Sequence, residues 1–167
     1  MEEKFLHAEG PGAERNLPFQ TKGVLNNASA ANNVARFDLA KYGNKSNFGK
    51  DEKLKSTKLI EQLFKEGKSV KQGGVTLVYL FSPLNTFYPA QAGFSVSKKH
   101  FKHAVDRNRV KRLMREAYRL NKTSLYQYLK EAGQQLAIMW VYNGKQLPEM
   151  AQVEKSLTGC LKKITKP

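Results

Sequence analysis

Between residues 56 and 97, the hydrophobic positions change from helical spacing to the pattern of strands. The first set recurs every three or four residues and consists of Leu59, Ile60, Leu63 and Phe64. This spacing predicts a short amphipathic helix that ends at Gly67. Residues 75–81 then alternate as a strand does, and a second run at 90–97 follows after turn-forming Pro and Asn. We therefore predict two antiparallel strands joined by a hairpin.

The second half of the chain predicts a polar helix, an apolar strand and a final helix. The polar helix runs from about His103 to Leu120, with Asn121 as its terminator. The uninterrupted run LAIMWVY at residues 136–142 predicts a buried strand with Trp140 in the core. The last helix has apolar residues every three or four positions, at Met150, Val153, Leu157, Leu161 and Ile164. The element order αββαβα predicts an α+β fold, with helices packed on a small sheet.

The first 50 residues differ from the rest of the chain. Gly, Pro and paired Asn residues interrupt every hydrophobic period there, which predicts a poorly ordered extension at residues 1–50 and one domain at 51–167. The single cysteine, Cys160, suits a reducing compartment and is expected in the core. No apolar run approaches the roughly 20 residues of a membrane span. We therefore expect a soluble, cytoplasmic protein with no membrane partner.

Charge narrows the choice of partner. The chain carries a formal net charge of +15. Residues 95–122 contain ten Lys or Arg and two acidic residues, so 10 − 2 gives +8 for this stretch, more than half of the total. Such a field attracts phosphate-rich molecules. Nucleic acid is the first candidate partner and an anionic membrane surface is the second.

A helical projection of residues 107–120 separates two arcs. The polar arc contains Arg107, Asn108, Lys111, Arg112, Arg115 and Arg119, and Arg109 lies at its edge. The apolar arc contains Val110, Leu113, Met114, Ala117 and Leu120. Like charges four residues apart each cost the isolated helix about 0.2 to 0.5 kcal/mol, so an external polyanion explains the polar arc better than solvent does. Arginine forks suit phosphate oxygens, and the Asn108 amide suits a base edge or a 2′-hydroxyl.

The stretch GFSVSKKHFKHAVDRNRVKRLMREAYRLNK, at residues 93–122, resembles the signature of the protein subunit of bacterial ribonuclease P. The likeness consists of a strand ending in SVSKK, a short loop, and a helix that begins around Arg-Asn-Arg. It extends over about residues 52–165. The resemblance implies a fold similar to ribosomal protein S5 domain 2, a two-layer αββαβα sandwich with a left-handed βαβ crossover.

The resemblance also implies a function. In that family the RNA subunit, with Mg²⁺, removes the 5′ leader of precursor tRNA, and the protein assists it without catalytic residues of its own, one protein per RNA. The residues implied in RNA binding, together with Arg119 from the polar arc, are Lys98, Lys99, Arg107, Asn108, Arg109, Lys111, Arg112, Arg115 and Arg119. A cleft for the leader would map to Ile60, Phe64 and Tyr79. The family often has an aromatic residue at the position of Ile60.

Other candidate sites are weaker. His100 and His103 have a spacing that could suggest a metal pair, but no Cys or carboxylate cluster nearby completes a ligand set, and solvated or phosphate-facing histidines are the preferred interpretation. No nucleophile with a base, paired carboxylates or phosphate-binding glycine loop stands out. Two alternatives to the ribonuclease P hypothesis stay open: a general binder of structured RNA with the same fold, and a nuclease that acts alone.

Overall fold

The computed structural model describes residues 28–38 and 47–165. Its elements are α1 (Ala28–Ala35), α2 (Thr57–Glu66), β1 (Lys68–Gln72), β2 (Val75–Phe81), β3 (Ala90–Val96), α3 (Ala104–Glu131), β4 (Leu136–Tyr142) and α4 (Met150–Thr165). All six predicted elements are present, and the α+β class is confirmed. Strand β1 is additional, because its five residues, KSVKQ, include two lysines and only one apolar residue, which gives it the polarity of a loop in the sequence.

The four strands form one sheet in the order β1-β2-β4-β3. Strand β4 is antiparallel to β2 and parallel to β3. The predicted hairpin between residues 75–81 and 90–97 is therefore wrong: β4 lies between these strands, since it is apolar on both faces and is buried along nearly all of its length. The hairpin is instead the β1–β2 pair, whose turn uses Gly73 with a φ of 56°.

Helices pack on both faces of this sheet. Helices α3 and α4 cover one face and enclose the larger core, which includes Tyr118, Trp140 and Leu157. Helix α2 is capped by Ser56 and covers part of the other face, where Leu63 packs with Ala137 and Met139. Strand β3, helix α3 and strand β4 form the βαβ crossover that the resemblance implies.

Helix α3 is longer than predicted. It continues past Asn121 to Glu131, because Leu125, Tyr126 and Leu129 extend its buried stripe. The Asn121 side chain does not end the helix; its amide donates hydrogen bonds to the Ala117 carbonyl (2.9 Å) and to Glu154 on α4 (3.0 Å). The helix ends about three turns after Asn121, at Glu131, and Gly133 just beyond it has a φ of 61°.

Two short segments from the predicted extension pack on the domain. In residues 28–38, Phe37 is fully buried, with its ring centroid 5.5 Å from those of Tyr88 and Tyr126. The Asn33 amide also donates a hydrogen bond to the Leu84 carbonyl (3.1 Å). The prediction of a poorly ordered extension is wrong for these residues and for 47–50, while residues 1–27 and 39–46 lie outside the described part of the chain.

The second segment is held by a buried ion pair. Glu52 and Lys122 are both almost completely buried and bond to each other directly. The Tyr126 hydroxyl donates to the same carboxylate (2.7 Å), and the Gly49 N–H donates to its other oxygen (2.7 Å). Lys122 also donates to the Asn47 carbonyl (2.8 Å). These bonds fasten residues 47–52 to the middle of α3.

Candidate RNA-binding surface

The loop between β3 and α3 carries the first predicted contacts. Lys98 and Lys99 are exposed in the turn after β3. Arg107 lies one turn into α3 and is half-buried, because its Nη1 donates hydrogen bonds to the carbonyls of Phe101 (2.8 Å) and Lys102 (2.6 Å). Arg107 therefore fixes the loop to the helix. The projection placed it on the polar arc and did not predict these bonds, since the loop conformation cannot be derived from residue spacing.

The outer face of α3 carries exposed guanidinium groups. Asn108, Arg109 and Arg112 are exposed, and together with Val105, Leu113 and Glu116 they line a shallow depression along the helix. Among the residues that the structure describes, no carboxylate pairs with Arg109 or Arg112. Arg109, predicted at the edge of the polar arc, thus shares this depression with Arg112.

A second row of cations lies closer to the sheet. Lys111 is half-buried, and the guanidinium carbon of Arg115 lies 5.9 Å from the centre of the Phe94 ring, a cation–π arrangement. Arg119 pairs with Glu116 through two hydrogen bonds of 2.6 and 2.9 Å. The hydrogen bond from Arg119 lowers the pKa of Glu116, so this carboxylate is ionised at neutral pH.

The apolar arc of α3 is mostly confirmed, with one exception. Val110, Met114 and Ala117 are fully buried, and Leu113 is half-buried against the core. Leu120 is instead 52% exposed. The buried stripe drifts round the helix toward Tyr118 and Lys122, because 3.6 residues per turn do not divide evenly into the spacing of the apolar residues.

The three residues predicted to form the leader cleft do not come together. Ile60 and Phe64 lie on α2, and Phe64 is 55% exposed. Tyr79 faces the opposite side of the sheet, where its ring contacts Phe81 and burial raises its pKa. Val78 and Leu80 are the β2 residues that pack with the α2 cluster. The alternation of β2 contained the necessary signal, because buried Val75 and Leu77 put Tyr79 on their own face.

The structure assigns no functional role to the remaining candidate residues. Trp140 and Cys160 are fully buried, as predicted, and burial raises the pKa of the Cys160 thiol to about 11. His103 occupies the N-cap position of α3 without a side-chain hydrogen bond to the helix. In residues 28–38 and 47–165, no three His, Cys, Asp or Glu side chains form a group that could hold a metal ion. No described helix is long and apolar enough to cross a membrane.

Comparison with known proteins identifies the family. The Ribonuclease P family matches residues 48–165, which include α2, the whole sheet, α3 and α4. The chain belongs to the ribonuclease P protein family. The predicted resemblance is thereby confirmed, and the match starts four residues earlier than the pattern indicated. Residues 28–38, including Phe37, lie outside the region that matches the family.

Individual relatives agree with this assignment. The ribonuclease P protein component of Porphyromonas gingivalis strain W83 is 36% identical over 115 residues, which cover 69% of this chain and 84% of the relative. That of Chlorobium phaeobacteroides is 36% identical over 125 residues, covering 69% and 86%. The chain is therefore related over most of the relatives' length to protein components of the ribonuclease that processes the 5′ end of tRNA.

Solved structures support the fold. The ribonuclease P protein of Staphylococcus aureus matches with a TM-score of 0.55 and 23% identity, over 69% of this chain and 96% of that structure. The protein from Thermotoga maritima matches with a TM-score of 0.53, also at 23% identity, over 67% and 96%. At this level of identity the likeness shows the fold, and it places α3 in the same architecture.

Proposed function

We propose that this protein is the protein subunit of a ribonuclease P ribonucleoprotein and that α3 binds the catalytic RNA. The observation that carries the proposal is the exposed pair Arg109 and Arg112, which have no carboxylate partner in the described part of the chain. A guanidinium group that is not neutralised by the protein can grip phosphate oxygens with two parallel hydrogen bonds. Lys98 and Lys99, exposed in the preceding turn, extend this cationic surface.

A second part of the proposal concerns the 5′ leader of precursor tRNA. We place it against α2, where Phe64 exposes 55% of its surface beside half-buried Ile60. In this proposal Val78 and Leu80, rather than Tyr79, form the sheet side of the cleft. An exposed aromatic ring next to an apolar strand can stack on an unpaired base, an interaction worth about 1 to 3 kcal/mol.

The chemistry belongs to the RNA in this proposal. The protein contributes cationic surfaces that hold RNA, while Mg²⁺ ions bound by the RNA activate water for cleavage of the phosphodiester. This assignment of the chemistry to the RNA fits the described residues, whose acidic and histidine side chains do not cluster as metal ligands. We expect one protein per RNA and a cytoplasmic assembly, which suits a chain with a single buried cysteine.

The test is cleavage of a precursor tRNA at low Mg²⁺ by a bacterial ribonuclease P RNA, with and without the protein. We expect the protein alone to be inactive and to accelerate cleavage by the RNA. The variant is R109Q/R112Q, which removes both charges but keeps a polar side chain at each position, and it should lose most of the acceleration. Cleavage by the protein without RNA would overturn the proposal. Binding without acceleration would favour a general binder of structured RNA.

A further inference from the structure

The outer face of α3 exposes large apolar side chains among its arginines. Val105 is 77% exposed and Leu120 is 52% exposed. They are two of the four large hydrophobic side chains that the described residues expose most; the others are Phe64 and Leu147, which lie outside α3. A face that only attracted phosphates would not need aliphatic groups, since the phosphodiester backbone offers charge and hydrogen-bond acceptors.

These apolar groups share one face with the cations. Val105 and Leu113 line the same depression as Asn108, Arg109 and Arg112. Leu120 lies seven residues after Leu113, two helical turns further along nearly the same line. The face therefore presents an apolar strip about 22 Å long, from fifteen residues at 1.5 Å rise each, with guanidinium groups beside it.

The polar groups of the depression suit the edges of nucleobases. The Asn108 amide offers both a donor and an acceptor. The carboxylate of Glu116 is held in place by two hydrogen bonds from Arg119 and is an acceptor for the exocyclic amino group of a base. Guanidinium planes stack on bases, and the flat faces of bases are the least polar surfaces that RNA exposes.

Two other possible partners for this face, a second copy of the chain and an anionic lipid surface, fit it less well than RNA. A second copy of the chain, related by two-fold symmetry, would bring Arg109 and Arg112 of both copies together, and the one carboxylate of the depression, Glu116, is already paired with Arg119. Binding to an anionic lipid surface typically uses an aromatic anchor, and the strip of Val105, Leu113 and Leu120 has none. Single-stranded RNA supplies negative charge and apolar planes in the same molecule.

We propose that the outer face of α3 binds unpaired nucleotides of its RNA, and that Val105 and Leu120 contact base or ribose faces. The inference rests on the proposed function, in which α3 binds RNA. It adds to that function a component of affinity that does not depend on salt. Contacts with phosphates release counterions and weaken as salt rises, whereas apolar contacts do not release them.

The test is the affinity of the full-length protein for a bacterial ribonuclease P RNA across a series of KCl concentrations. V105Q/L120Q should bind on the order of 10-fold more weakly at every KCl concentration, because two partly exposed aliphatic groups lose their burial against RNA. The slope of log affinity against log salt should equal that of the wild type. R112Q should instead make the slope shallower by about one, and L147Q, which removes an exposed leucine outside α3, should change neither quantity.

A second probe separates bases from phosphates. Inorganic polyphosphate carries the charge of RNA without bases, so V105Q/L120Q should bind it as the wild type does. Equal affinity of V105Q/L120Q and wild type for the RNA would overturn the inference and leave the proposed function intact. Equal loss of affinity for polyphosphate would also overturn it. Failure of the wild type itself to bind the RNA would contradict the proposed function.

Discussion

Helix α3 contains an exposed cation and a buried cation ten residues apart. Arg112 is exposed, with no carboxylate partner in the described residues, whereas Lys122 is 1% exposed and bonded to Glu52. Both belong to the same basic stretch of sequence. Charge density alone therefore does not identify a binding surface. After Asn121, Lys122 anchors residues 47–52 to the helix, whereas before Asn121 the helix presents Arg109 and Arg112 to solvent.

The largest effect is expected from breaking the buried pair. K122M leaves the Glu52 carboxylate buried without its cation, which should lower the free energy of unfolding by about 3 to 5 kcal/mol. Urea denaturation followed by circular dichroism measures this. The double variant E52Q/K122M removes both charges and should recover much of the loss. If K122M were as stable as the wild type, the pair would not anchor residues 47–52.

The buried half of α3 also depends on residues outside the family match. F37A removes a fully buried ring from its contacts with Tyr88 and Tyr126, and it should cost about 3 kcal/mol of unfolding free energy. The matched control is R36A, because Arg36 is exposed on the same segment. An unchanged denaturation midpoint for F37A would mean that residues 28–38 do not contribute to the core.

Arg107 is intermediate between the two kinds of cation. R107A removes two hydrogen bonds to the carbonyls of the preceding loop and should lower the free energy of unfolding by about 1 to 2 kcal/mol. R107K keeps the charge and a nitrogen donor, but on a shorter and more flexible side chain than the planar guanidinium whose Nη1 donates both bonds, so it should restore only part of the stability. Thermal denaturation of both variants beside the wild type provides the measurement. If R107A were as stable as the wild type, Arg107 would not stabilise the fold, and its proposed role would be RNA binding alone.

The smallest effect on stability is expected at the exposed pair. R109Q/R112Q should change the free energy of unfolding by less than about 0.5 kcal/mol, because neither side chain has a protein partner in the described part of the chain. The same denaturation assay tests this. A loss comparable to that of K122M would show that these arginines stabilise the fold, and the contrast within α3 would fail.

Sequence patterns predicted the parts of the molecule that depend on local periodicity. The amphipathic α2, the apolar β4 and the buried face of α3 around Val110 and Met114 all follow from the spacing of hydrophobic residues. The α+β class and the basic helix followed from the pattern and the charge, and the family resemblance then supplied the two-layer sandwich with its βαβ crossover and the catalytic RNA as the expected partner. For α3, the hydrophobic periodicity was clear because one side of the helix packs against the core.

Three features were not predicted. Strand β1 is an edge strand with two lysines and one apolar residue among its five positions, so its pattern is that of a loop until β2 pairs with it. The burial of Lys122 requires Glu52, seventy residues earlier in the chain. Tyr79 was assigned to the wrong face, although the parity of its position relative to Leu77 would have corrected this. Among these three, only the burial of Lys122 depends on a contact over a long sequence separation.

The central claim is that the exposed arginines of α3 bind the catalytic RNA. The most direct measurement compares wild type with R109Q/R112Q in the salt dependence of binding to a bacterial ribonuclease P RNA. The account predicts that the slope of log affinity against log salt becomes shallower by about two, one for each lost phosphate contact, while the thermal midpoint stays constant. A slope equal to that of the wild type, in a variant that remains folded, would contradict it.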